Sequence, residues 1–149
     1  VFDHPTELWV AGDTGQTTRD IIQDVLCGYP NNALGTGMIP GHLITQVRRR
    51  SGIPDAFDTV KVKHVSGGES IIGFKSYDQK RKAFQGTGKH FIWLDEECPQ
   101  DVYNECLLRT MTTNGIICVT FTPLSGMTVF IQDFLKEAHR EAEAEGMII

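Results

Sequence analysis

Phe91-Ile92-Trp93-Leu94 runs straight into Asp95-Glu96-Glu97. Such a run reads as a buried strand whose tip carries carboxylates. A second apolar run, Ile116-Ile117-Cys118-Val119, ends in Thr120-Phe121-Thr122-Pro123. Acids and hydroxyls at two strand tips suit nucleoside triphosphate hydrolysis. An Asp holds Mg²⁺, a Glu polarises the attacking water, and hydroxyls sense the terminal phosphate. The acid-tipped strand has the pattern of a Walker B motif. Successive side chains on a strand point to opposite faces. Asp95 and Glu96 can therefore share one site only if the strand ends there and the chain turns. A plainer alternative is that the three acids cap and complement the dipole of a helix opening at Pro99. On that view Thr120 and Thr122 are simply residues that favour strands.

The elements around these tips alternate between strand and helix. Leu8-Trp9-Val10-Ala11 is a short strand ending at Gly12. Thr17 with Asp20 resembles a capping box for a helix carrying Ile21, Ile22, Val25 and Leu26, stopped by Gly28 and Pro30. Residues 31–41 are glycine- and proline-rich and read as loop. His42 to Arg50 reads as a short helix, with Leu43, Ile44 and Val47 on one face. Thr59 to Val65 and Glu69 to Ser76 read as two strands around Gly67-Gly68, a β-hairpin. Pro99 suits the first turn of a helix with Val102, Cys106 and Leu107 inward. Asn114-Gly115 turns the chain into the Ile116 strand. Met127 to Gly146 is a helix with Phe130, Ile131, Phe134 and Leu135 among its apolar positions and Gly146 as its stop. Met147-Ile148-Ile149 looks like the start of another strand. Fully apolar strands alternating with helices indicate an α/β protein with a mainly parallel, two-sided sheet. Such sheets place ligands beyond the carboxyl ends of their strands.

Composition narrows the classes. The 149 residues are 40% hydrophobic, enough for a packed core. No apolar run approaches the roughly 18 residues of a membrane span. The N-terminus has no basic or apolar signal region, and without an initiator Met the chain is expected to start inside a longer protein. The net charge of -5 argues against a globally basic nucleic-acid coat. Arg48-Arg49-Arg50 and Lys80-Arg81-Lys82 are local basic clusters that would mark a phosphate-binding patch only if they lined one face. The four cysteines form no C-x-x-C pair, which argues against zinc. Cys106 and Cys118 read as small core residues, and a reducing cytosol fits best.

Taken in order, several strings resemble the ATPase region of the large terminase subunit of tailed double-stranded DNA phages. They are Phe74-Lys75-Ser76-Tyr77-Asp78-Gln79, Phe84-Gln85-Gly86-Thr87, Trp93 to Glu97, Glu105-Cys106-Leu107 with Arg109-Thr110, and Thr120 to Leu124 with Gly126. Trp9-Val10-Ala11-Gly12 and the Thr17 to Asp20 helix start add to them. The resemblance covers most of the chain, and its specificity lies in the ordered set. It implies that residues 1–149 are part of a terminase ATPase domain: a partial RecA/ASCE-like P-loop NTPase core with a mainly parallel sheet plus a β-hairpin. It also implies ATP and Mg²⁺ as cofactors. Asp95 would bind the metal, Glu96 would be the catalytic carboxylate, and Glu97 would take over if the register shifts by one. Thr120 to Pro123, with Thr122, would form the coupling motif. A neighbour in a homo-oligomeric ring would supply an arginine finger, Arg81 first and Arg109 second. The implied partners are double-stranded DNA, the small terminase subunit and the portal protein, in the bacterial host cytoplasm and without a membrane.

One family part is missing from these residues. A P-loop reads G-x-x-x-x-G-K-[ST] between a strand and a helix. Gly86-Thr87-Gly88-Lys89-His90 is the nearest string. His90 stands where a metal-binding hydroxyl belongs, and a strand follows instead of a helix whose N-terminus could face phosphate. The loop is expected upstream of Leu8, with its strand and helix, leaving an open sheet edge here. The nuclease half is likewise expected elsewhere. The segment alone is then expected to bind ATP weakly and to turn it over hardly at all. A competing reading is a non-catalytic terminase piece recognised by another protein. A helicase-like ATPase would need nucleic-acid contact motifs beyond the two basic clusters.

Overall fold

A computed structural model describes residues 2–122, 126 and 128–144. Six strands, β1 (Glu7–Gly12), β2 (Ile44–Arg49), β3 (Phe57–Lys63), β4 (Glu69–Ser76), β5 (Phe91–Asp95) and β6 (Ile116–Thr120), form one sheet in the order β2-β3-β4-β1-β5-β6. β1 lies between β4 and β5, parallel to both, and β5 is parallel to β6. β2, β3 and β4 are antiparallel neighbours. The mixed, mostly parallel α/β sheet and the β3–β4 hairpin match the reading of the sequence.

β2 replaces the helix expected over His42 to Arg50; only Gly41–Leu43 is helical there, as a single 3₁₀ turn. The register with β3 slips between Ile44 and Gln46. A bulge of this kind shifts the pleat by one residue. Ile44 and Val47, three apart, thus pack on the same cluster. A spacing of three, the mark of a helix face, here belongs to a bulged strand that gains its backbone bonds from β3.

The first helical segment opens at α1 (Gly15–Thr17), passes through a π-helical turn (Thr18–Gln23) and continues as α2 (Asp24–Cys27). Its capping box is Thr14 with Thr17, three residues earlier than the expected Thr17 and Asp20, while Asp20 pairs with Arg19 at 2.6 Å. Thr14 wins because its oxygen accepts the Thr17 N–H while Thr17 bonds back to the Thr14 N–H. Gly28, at φ 81°, ends the segment as expected. A Cβ there would lie 2.9 Å from the Ala33 carbonyl, so glycine is required.

Two layers cover the sheet. On one face Trp9, Ala11, Ile92 and Leu94 pack under α3 (Gln100–Met111) and α4 (Val129–Ala144), which contribute Val102, Tyr103, Cys106, Phe130 and Ile131. On the other, Val10, Val60, Ile72 and Phe74 pack under Ile22 and Cys27. A fully buried Val, Ile, Leu or Phe side chain, such as Val60, Ile22, Leu94 or Phe74, is worth roughly 1.5–3 kcal/mol. Pro99 sits just before α3 at the cap position. Leu135, one of the apolar positions of α4, is 41% exposed. Met127, Gly146 and the expected strand at 147–149 lie outside the described residues.

β6 departs from the expected buried strand. Ile117 and Val119 face α3 and α4, but Ile116 and Cys118 are exposed on the opposite face. Cys118 is therefore not a core residue, whereas Cys106 is. The helical segment on that side packs on β1 and β4. Among the described residues β6 pairs on one side only.

Candidate functional site

Asp95 ends β5 and Thr120 ends β6, and the two are register partners at the carboxyl edge of the parallel strands. The Thr120 hydroxyl donates to Asp95 Oδ1 at 2.7 Å and accepts from the Trp93 indole N–H at 2.8 Å. The Glu96 N–H then donates to the Thr120 carbonyl at 2.6 Å. Glu96 itself has φ 66°. A left-handed L-residue costs roughly 1–2 kcal/mol, and such strain gathers at functional sites. The turn that the two acids need in order to share a site occurs at Glu96. Its side chain is exposed, beyond the last strand residue.

Tyr77 anchors this tip from below. Its hydroxyl lies 2.9 Å from the Asp95 carbonyl oxygen and 3.3 Å from that of Ala11, tying the ends of β5 and β1. Tyr77 is buried, and loss of water pushes its hydroxyl pKa well up, so it remains a donor throughout the working range. Neither Tyr77 nor Trp93 was singled out by the chemistry of the sequence. Trp93 carried a signal nonetheless: two residues before Asp95, it must share that residue's face.

Glu97 takes a different position. Its Oε2 accepts from the Thr128 hydroxyl at 2.8 Å, and the same hydroxyl receives the Ile131 N–H at 3.4 Å. Glu97 is thus joined to the cap of α4. The acids do not cap α3, whose N-cap residue is Pro99 with no side-chain cap, and whose Val102 N–H is taken by Asp101. The plain helix-capping alternative for Asp95 and Glu96 therefore lacks its contact. Thr122 is exposed at the end of the described run, and Pro123 lies outside the described residues.

Both arginine candidates meet one carboxylate. Arg81 Nε lies 3.0 Å from Glu105 Oε2, and Arg109 Nη2 lies 3.0 Å from Glu105 Oε1. Glu105 is 3% exposed, Arg109 24% and Arg81 56%. Among the first basic cluster, Arg48 pairs with Asp58 and Arg49 with Asp55, while Arg50 reaches the Ser76 hydroxyl at 3.0 Å. These arginines serve separate local contacts.

The Gly86 to His90 string lies at the opposite edge of the sheet. Lys89 is buried there, 2.5 Å from Glu7 and 5.0 Å from the centre of the Trp9 ring. Its rejection as a phosphate loop agrees with that placement.

Asp95 Oδ2 and the Glu96 carboxylate accept no hydrogen bond among the described residues. No cluster of three or more metal-ligating side chains occurs among them. That donor set fits Mg²⁺, which keeps several waters and is held by one or two carboxylates with substrate phosphates. It does not fit a closed zinc or calcium cage.

The sequence profile of the T4likevirus-type terminase large subunit, N-terminal region, matches residues 1–147. The terminase large subunit of Salmonella phage P22 is 36% identical over 99% of this chain. The large terminase ATPase domain of Thermus phage P74-26 superposes with a TM-score of 0.55 at 16% identity, covering 87% of this chain and 52% of that one. The large terminase of a thermophilic bacteriophage, solved in complex with ADP, gives 0.57 at 12% identity, covering 92% and 31%. The chain belongs to the terminase large-subunit family. Its fold is that of the large terminase ATPase domain, a RecA-like core. It spans 31% of the length of the P22 relative.

Proposed function

We propose that this segment supplies the acid and coupling half of an ATP-hydrolysing motor that drives double-stranded DNA into a phage procapsid. Asp95 would hold Mg²⁺, and Glu96 would orient the attacking water. Thr120 and Thr122 would respond to the γ-phosphate and pass its loss to the following segment, with Glu97 steadying the cap of α4. The bound ion would supply charge neutralisation on the phosphates. The protein groups supply position: the Thr120 hydroxyl sets one oxygen of Asp95, and the turn at Glu96 brings the second acid to the same tip.

The observation that carries this reading is the bond between Asp95 and Thr120 across the tips of β5 and β6. Among the described residues β6 has no second pairing partner, which supports it further. A strand bearing a P-loop would pair there and bring its phosphates beside Asp95. The 149 residues contain no P-loop string, so this segment by itself would bind ATP weakly. In the full-length protein, a neighbouring copy in a ring would offer Arg81 as its finger. The small terminase subunit and the portal protein would be its partners in the host cytoplasm. No described helix is long and apolar enough to cross a membrane.

The test is steady-state ATP turnover by the full-length protein carrying Glu96→Gln or Asp95→Asn. General-base loss costs about 10²–10⁴-fold, so Glu96→Gln should lower kcat by that order while leaving nucleotide binding intact. Turnover retained in Glu96→Gln would remove Glu96 from its role.

A further inference from the structure

We propose that Trp93 is a positioning residue for the Asp95 site, acting through Thr120; the idea rests on the motor reading above. An indole nitrogen can only donate, and a threonine hydroxyl has one proton to give. The 2.8 Å bond from Trp93 Nε1 therefore occupies an acceptor lobe of Thr120 Oγ1. The 2.7 Å contact to Asp95 Oδ1 takes that hydroxyl's only proton, because an ionised carboxylate accepts and cannot donate. The relay has one direction: indole to hydroxyl to carboxylate. It holds one oxygen of Asp95 and leaves Oδ2 free for a cation.

The geometry that permits this is a diagonal one. Trp93 is the register partner of Cys118, and Asp95 of Thr120. All four lie on one face, and Trp93 reaches across to the residue two places further along β6. The indole ring is half-buried against the cluster around Val10, so it is a fixed donor. Phe91 or Ile92 could not act this way, since neither carries a polar hydrogen. A residue chosen only for apolar bulk would not need the indole nitrogen at the one position where it meets the hydroxyl.

Partners that orient a metal ligand typically change metal affinity or activity by 10–100-fold when removed. Trp93→Phe keeps the ring and deletes the donor. In full-length protein with ADP present, Mn²⁺ affinity measured by electron paramagnetic resonance should fall by about tenfold or more. The thermal midpoint should barely move. A second readout needs no metal. The indole N–H resonance of Trp93, assigned by its loss in Trp93→Phe, should shift and exchange faster in Thr120→Val. It should persist in Thr120→Ser and move again in Asp95→Asn. An unmoved resonance in Thr120→Val and Asp95→Asn overturns the relay and leaves the motor reading standing. Wild-type Mn²⁺ affinity in Trp93→Phe overturns the positioning role in the same way. Failure of the wild-type protein to bind Mn²⁺ at all overturns both.

Discussion

Glu105→Ala removes the one carboxylate that Arg81 and Arg109 share, and the two arginines should report its loss unequally. Glu105 is 3% exposed, so its charge is held by its partners and not by water. Arg109 is 24% exposed, has Nε buried without a hydrogen-bond partner, and otherwise donates to the Gly86 carbonyl. Removing one member of a buried pair costs about 3–5 kcal/mol. The remaining access of water to Arg109 places Glu105→Ala at the lower end, about 3 kcal/mol. Arg81 is 56% exposed, and a pair of that kind contributes about 0–1 kcal/mol after solvent screening. Arg109→Ala leaves Glu105 buried with only this outer partner, a loss of about 2 kcal/mol.

Urea melts of the four proteins of each double-mutant cycle measure the couplings. The Arg109–Glu105 coupling should be about 2 kcal/mol and the Arg81–Glu105 coupling under about 1 kcal/mol. In heat, Glu105→Ala should lower Tm by roughly 10 °C for a domain of this size. Equal couplings for the two arginines, or a Glu105→Ala loss below about 1 kcal/mol, would refute the reasoning from burial. The result also ranks the finger candidates. A residue that must leave its own subunit's carboxylate to reach a neighbour's phosphates has to be cheap to release. Arg81→Ala should therefore cut turnover of the assembled protein with little change in stability. Arg109→Ala should lower stability first.

Of the four cysteines, only Cys118 is exposed. A colorimetric thiol reagent should thus react with one equivalent in the native chain and four after denaturation; two fast equivalents would contradict the packing. Burial pushes the Cys27 thiol to about 11 and those of Cys98 and Cys106 to about 12, from a usual 9.0. The folded chain keeps protons that the unfolded chain releases, so stability is full below about pH 9 and falls as pH rises toward 11 to 12, by up to about 1.4 kcal/mol per pH unit for each thiol. Urea midpoints unchanged between pH 8 and 10.5 would contradict this. Lys89→Met should leave nucleotide affinity of the full-length protein unchanged, because its ammonium is committed to Glu7 at the edge of the sheet away from Asp95. A tenfold weakening by calorimetry would reinstate Gly86 to His90 as a phosphate loop.

The parts of the site that were legible in the sequence are those set by local pattern. Phe91 to Glu97 announced a strand and its acidic tip because apolar residues and carboxylates separate sharply there. The turn demanded by Asp95 and Glu96 followed from the two-residue pleat and appears as the positive φ of Glu96. The β2 error arose where local pattern is degenerate. Ile44 and Val47 satisfy a helix face and a bulged strand equally, and only the hydrogen bonds offered by β3 decide between them. At the first helix the spacing of Thr17 and Asp20 fits a capping box, but the reciprocal bonds between Thr14 and Thr17 select an earlier start.

β6 shows the deeper limit. Ile116-Ile117-Cys118-Val119 spells a strand buried on both faces, yet only Ile117 and Val119 pack against α3 and α4. Apolar side chains record that a face is meant to be covered, not which segment covers it. The exposed side, bearing Ile116 at 54% exposure and Cys118, continues to Thr120 at the tip. An uncovered strand edge is a liability that natural proteins blunt with charge, proline or short length. From Ile116 to Thr120 this edge carries no charged residue and no proline. Among the described residues nothing pairs with this edge, and on the motor reading a neighbouring strand there would end beside Asp95. On the motor reading proposed above, the exposed face bearing Cys118 and the tip bearing Thr120 would both meet a neighbouring segment, and that one contact would cover Cys118 and bring phosphates beside Asp95.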